Sequence, residues 1–187
     1  MNANVGTVAA NNHKAPADWF ERKLMDVGQV ITVLGTMLDR LGALNPHIQV
    51  IFTISPVRHL REGVIDNNRS KAVLITAVHY MIEQLKKLYY FPAYELVIDD
   101  LRDYRFYAED LVHPNYYATQ YVWEKFVQAC MNDDTKKLME EIASINLAFN
   151  HKPFNASSTM HQKFLANNYT KVKQLQEQYS YLDFSKE

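Results

Sequence analysis

The run HIQVIFTIS, residues 47–55, constrains the fold more than any other stretch of this chain. Val, Ile and Thr crowd it, which suits a pleated surface and disfavours a helix. Its apolar residues follow one another with little in-and-out alternation. That pattern predicts a strand buried on both faces, as in a parallel sheet. What precedes it is helical. Asp26 is placed to cap a helix whose apolar positions, Val27, Val30, Ile31, Leu34, Met37, Leu38, Leu41 and Leu44, recur at the 3.6-residue period. That helix should stop at Asn45-Pro46, because the residue before a proline avoids the α region.

The same alternation continues. A polar loop, SPVRHLREGVIDNNRS, leads to a second helix expected over about 69–89, with Ile75, Val78, Ile82 and Leu85 on one stripe. FPAYELVIDD then predicts a second buried strand at about 93–98. Asn115 is placed to cap a third helix running to about Met131. Helices alternating with buried strands define the α/β class, a parallel sheet with helices on both faces. Two strands are few for such a sheet, which usually has about five or six. Either weak strands lie in the irregular residues 1–17, or the chain is the later part of a larger domain.

Beyond residue 132 the character changes. No arginine follows Arg105, and the tail is rich in Asn, Gln, Ser and Lys. Two helical stripes, Leu138–Ile142–Ile145–Phe149 and Leu165–Tyr169–Val172–Tyr179, flank the breaker HKPFNASS. The expected organisation is therefore an α/β portion over 1–132 and a helical extension over 133–187.

Composition narrows the function classes. At 187 residues, 48% hydrophobic and 22% charged, the chain is long and apolar enough for one globular domain with an appendage. The formal net charge of −1, with signs interspersed, gives no basic field for nucleic acid. A single cysteine, Cys130, expected as a buried inert thiol, excludes an internal disulfide framework and a four-cysteine zinc site. No apolar run approaches the roughly 20 residues of a bilayer span, and the first residues lack a signal-peptide pattern. As written, the chain reads as cytoplasmic.

Three constellations could carry chemistry. In Asp110-Leu-Val-His113-Pro, a carboxylate three residues before an imidazole can hold its Nδ1–H and leave Nε2 outward as a general base. The competing reading is a turn aspartate beside a satisfied histidine, and local sequence leaves the two in balance. In ISPVRHLREG, Ser55, Arg58 and His59 leave the C-terminal end of the first strand, the edge where open α/β sheets bind ligands. Arg58 could grip a carboxylate or phosphate. Ser55 lies in no G-x-S-x-G elbow and is a poor nucleophile candidate. A loop hydrogen-bond network is the simpler reading of these three. In VAANNHK, Asn11 and Asn12 could donate an amide to an oxyanion. His13, His59 and His113 match no metal-ligand spacing, and no cofactor is called for.

Taken together, VAANNHKAPADWFERKL, IFTISPVRHLREG, NNRSKAVL, YFPAYELVIDDLRDYRFYAEDLVHPN and the tail pieces NHKPFNAS and HQKFL resemble the GSCFA family. These are bacterial domains related to the SGNH/GDSL-type esterases. The resemblance implies a three-layer α/β/α hydrolase fold with a Ser-His-Asp triad, in which Asp110 and His113 are the acid and base. ANNHK corresponds to the family's ANCHK-like segment, which makes Asn11 the candidate oxyanion donor. The family's G-S-C-F-A motif, whose serine stands at the nucleophile position, does not occur in this sequence, and its seven serines all fall elsewhere. The resemblance therefore implies the C-terminal part of a domain. The substrate it implies is a small-molecule or glycan ester, with no nucleic-acid or membrane partner. A non-catalytic glycan-binding or assembly module is the alternative. An incomplete sheet also predicts exposed apolar edges and self-association through the edge or the C-terminal helices.

Overall fold

The computed structural model describes residues 14–61, 63–155 and 157–184. A 3-10 turn at Ala17–Trp19 precedes helix α1, Val27–Leu44. Asp26 caps α1 as expected. Its carboxylate accepts the Gln29 N–H at 2.8 Å while the Gln29 side chain accepts the Asp26 N–H at 3.0 Å. The helix ends at Asn45, ahead of Pro46. Asp26→Ala is expected to cost ~1 kcal/mol, read as a lower urea midpoint at unchanged slope; an unmoved midpoint would show the cap to be idle.

Helix α1 packs along α2, Gly63–Gln84, yet Val30 is its only buried residue. Val33, Met37 and Leu44 stay exposed. Among the described residues α1 is the one helix long and apolar enough to cross a bilayer, a test that core helices of soluble proteins also pass. This qualifies the expectation that nothing here reaches that length.

Strands β1, Val50–Phe52, and β2, Leu88–Tyr90, pair in parallel with Ile51 opposite Tyr89, and α2 forms the crossover between them. Val50, Phe52, Leu88 and Tyr90 form the half-buried face, while Ile51 and Tyr89 remain exposed. Parallel strands are ordinarily covered on both faces; here one face is.

The first strand lies inside its expected range, but the second does not. β2 precedes FPAYE, and the run expected as a strand is helical instead. A short turn, α3 (Ala93–Glu95), passes into a π-helix over Leu96–Leu101. Pro92 cannot donate to the sheet and fits a helix start, so the ladder ends before it. Helix α2 likewise begins and ends earlier than its stripe suggested, and Lys87 turns the chain into β2 with φ of +68°. The class is α/β, rich in helix, with a two-stranded parallel sheet among the described residues.

Helix α4, Tyr116–Cys130, starts after Asn115, whose side-chain oxygen accepts the Ala118 N–H at 3.2 Å. Cys130 is exposed rather than buried, because it occupies an outward position at the helix end. The chain divides into two compact units, one reaching to Val122 and one from Trp123 onward.

In the second unit, α5, Asp133–Asn150, and α6, Thr159–Gln178, form a helical hairpin around Ile145, Val172 and Leu175. Asn132 and Ser158 cap the two helices by accepting the N–H groups of Thr135 and His161. Asn168, 4% exposed, donates its amide to the Ile145 carbonyl at 3.3 Å and so satisfies a polar group inside this core.

Candidate acid–base site

The site is built on a clasp between the π-helix and α4. Tyr107 and Pro114 form an isolated antiparallel bridge. Around it, the Ala108 N–H donates to the His113 carbonyl at 2.8 Å and the Asn115 N–H to the Phe106 carbonyl at 2.9 Å. Asn115 closes the base of the clasp: its amide donates to the Arg105 carbonyl at 2.7 Å while its oxygen caps α4. One side chain thus ties the incoming 3-10 turn, Tyr104–Phe106, to the outgoing helix.

Asp110 organises the tip. Its Oδ1 accepts the N–H groups of Val112 at 2.9 Å and His113 at 3.0 Å, an Asx-type turn. Its Oδ2 lies 2.6 Å from His113 Nδ1. The backbone N–H of His113, then its ring, then the N–H of Val112 hold the Asp110 carboxyl down at about 2. An ionised carboxylate can only accept, so Nδ1 carries a proton, and in the neutral ring the lone pair lies on Nε2. The His113 side chain is 61% exposed, so the ring stands at the surface of the clasp.

Because the folded carboxyl titrates below its unfolded value, this arrangement favours the fold above the ordinary carboxylate range near ~3.9. The contribution is lost as pH falls through about 2. His113→Ala should raise the Asp110 midpoint, followed by carboxyl NMR. The rise should stay partial, because the two backbone donors remain. A midpoint unmoved by the substitution would show that the ring contributes nothing.

The loop after β1 meets this clasp. The Arg58 N–H donates to the Val112 carbonyl at 3.2 Å, and Arg58 Nη1 donates to the Leu111 carbonyl at 2.9 Å. The guanidinium carbon lies 4.3 Å from the Tyr107 ring centre and 5.2 Å from that of Tyr104, a cation–π arrangement. Leu111 itself is left-handed, with φ of +55°. For a leucine that conformation costs about 1–2 kcal/mol and persists only where neighbours enforce it.

The other expected site residues separate. The Ser55 hydroxyl accepts the Val57 N–H at 3.2 Å and makes no hydrogen bond to the His113 ring. Its carbonyl accepts Lys71 Nζ at 2.6 Å, which fixes the loop to α2. The His59 N–H donates to Asn67 Oδ1 at 2.8 Å, and His59 lines a cavity of about 250 Å³ with Arg22, Asp66 and Ser70. Ser55, Arg58 and His59 thus make separate contacts, and neither Ser55 nor Arg58 lines the cavity beside His59. Asn11, with Asn12 and His13, lies outside the described residues. Among the described residues no three His, Cys, Asp or Glu side chains converge to hold a metal.

Sequence reasoning missed three contributors. Leu111 gave no signal, since nothing in its identity announces a left-handed backbone. Tyr107 has no neighbour in sequence that marks it, yet its ring carries the Arg58 guanidinium. Glu95 accepts the Tyr90 hydroxyl at 2.9 Å on both carboxylate oxygens, anchoring α3 beside the end of β2. Burial and this contact push the Tyr90 phenol far above its ordinary range.

Comparison with protein families decides the assignment. The model of the GSCFA family matches residues 1–126, and that of the GSCFA domain protein, C-terminal domain, matches 142–187. The chain belongs to the GSCFA family. Comparison with curated proteins and with solved structures gave no match. The GSCFA match spans β1, β2, the Arg58 loop and the whole Asp110–His113 clasp. The second match covers most of the α5–α6 hairpin.

Proposed function

We propose that this GSCFA chain supplies the acid and base of an ester hydrolase of SGNH type. The supporting observation is the Asp110–His113 pair, joined at 2.6 Å through Nδ1 of an exposed imidazole. His113 would take the proton of a nucleophilic serine and then pass it to the leaving alcohol. Asp110 would hold the tautomer and offset the imidazolium charge. In this reading the serine belongs to a G-S-C-F-A segment outside this sequence, Asn11 donates to the oxyanion, and a three-layer α/β/α fold surrounds the site. The substrate class is a carboxylic ester, including O-acylated carbohydrate.

The test is an aryl acetate assay on a protein carrying both this chain and the G-S-C-F-A segment. Turnover that requires His113 supports the reading. No turnover, or turnover indifferent to His113→Ala, refutes it. A glycan bound without hydrolysis would point to the non-catalytic module instead.

A further inference from the structure

We infer that Arg58 is a positioning residue that holds the acid–base turn in its working shape, rather than a group that binds substrate. The inference concerns the same site as the proposed hydrolase and rests on that reading for its catalytic consequence. Its structural content stands on contacts of its own.

The guanidinium is already engaged. Nη1 donates to the Leu111 carbonyl at 2.9 Å, and the carbon of the planar group lies near two tyrosine rings, at 4.3 and 5.2 Å. A bidentate grip on a substrate carboxylate would have to compete with these contacts. What the contacts achieve is local. They hold the carbonyl of the one left-handed residue in the turn, Leu111, with φ of +55°. Leu111 sits between the carboxylate of Asp110 and the Val112 and His113 N–H groups that this carboxylate accepts. A leucine released from this conformation returns to the right-handed or extended region. The Val112 N–H then turns away from Oδ1, and the carboxylate loses the orientation that presents Oδ2 to the His113 ring.

Arg58 also carries information across the fold. It sits in the loop that leaves the C-terminal end of β1, whose position Lys71 fixes through the Ser55 carbonyl. The turn with Asp110 and His113 is closed on itself. Its aim relative to the strand edge comes from the Arg58 side chain and the Arg58 N–H on the Val112 carbonyl.

The strain at Leu111 makes the inference testable by compensation. Glycine adopts the left-handed region without penalty, so Leu111→Gly should restore the turn when Arg58 is absent. In this chain, with no substrate, the readouts are the Asp110 carboxyl titration and the His113 Nδ1–H resonance. Arg58→Ala is expected to raise the Asp110 midpoint and to exchange-broaden the ring proton. Arg58→Ala with Leu111→Gly is expected to return both towards the parent. An Arg58→Ala chain that folds and leaves both signals unchanged overturns the inference, and so does a double variant that shows no recovery.

Should Arg58→Ala unfold the chain, Arg58→Lys decides. It keeps the charge and the stem but loses the planar fork, so signals unchanged in that variant also overturn the inference. In the protein carrying the G-S-C-F-A segment, Arg58→Ala should lower kcat by about 10²-fold at nearly constant KM, the signature of misplacement rather than lost binding. Absence of turnover in the parent protein, with the NMR compensation intact, refutes the hydrolase reading and leaves the clamp standing.

Discussion

Replacing His113 by alanine in a protein that carries both this chain and the G-S-C-F-A segment is expected to reduce ester turnover to the background left by binding and the oxyanion donors. Asp110→Asn should lower kcat by about 10⁴-fold, as loss of the orienting carboxylate does in serine hydrolases generally. The two substitutions fail for different reasons. On the proposed mechanism, loss of the imidazole leaves no group to accept the serine proton. With asparagine at position 110 the ring loses the ionised acceptor at 2.6 Å that fixes its tautomer. The backbone N–H groups of Val112 and His113 can still find an amide oxygen, so the turn itself should survive. Near-parental spectra in Asp110→Asn with lost turnover would separate chemistry from folding. Equal turnover in parent and Asp110→Asn would remove Asp110 from the mechanism.

The second large effect lies in the other unit. Ile145 is 1% exposed and packs with Val172 and Leu175, with Leu138 and Phe149 around them. Ile145→Ala is expected to cost about 2–5 kcal/mol, the transfer term plus the cavity left behind. A unit of this size has only a few kcal/mol of net stability, since domains average roughly 0.05–0.15 kcal/mol per residue. The substitution should therefore melt most of the α5–α6 hairpin at moderate temperature. Each kcal/mol should lower Tm by about 4–8 °C. A loss under ~1 kcal/mol would show that α5 and α6 do not depend on this contact. The Asn168 amide sharpens the expectation, because a shift of the α5 backbone would leave it buried without its acceptor, the Ile145 carbonyl.

The legibility of the sequence differed by the range of the forces involved. The start and end of α1 were readable because a capping carboxylate and a proline act on their immediate neighbours. The Asp110–His113 pair was readable as geometry for the same reason, since three residues separate the two side chains. The placement of β2 was not. LYYFPAYELVID offers a long apolar run that suits either a strand or a helix, and periodicity cannot arbitrate such runs. Pairing with β1 selected Leu88–Tyr90, and Pro92 sent the remainder into helix. Cys130 was misjudged because one apolar stripe does not say which face finds a neighbour. Arg58 was recognised as important, yet its contacts on Leu111, Tyr104 and Tyr107 join loops more than forty residues apart, and spacing cannot reveal that.

The bridge between Tyr107 and Pro114 has a kinetic meaning. The bonds inside the turn, from Asp110 to Val112 and His113, and the bridge beneath them close loops of a few residues, and short loops form quickly at small entropic cost. The turn should therefore close early in folding, ahead of the parallel pairing of β1 and β2, which must wait for α2 to span the distance between them. It should take its final shape when Arg58 reaches the Leu111 carbonyl.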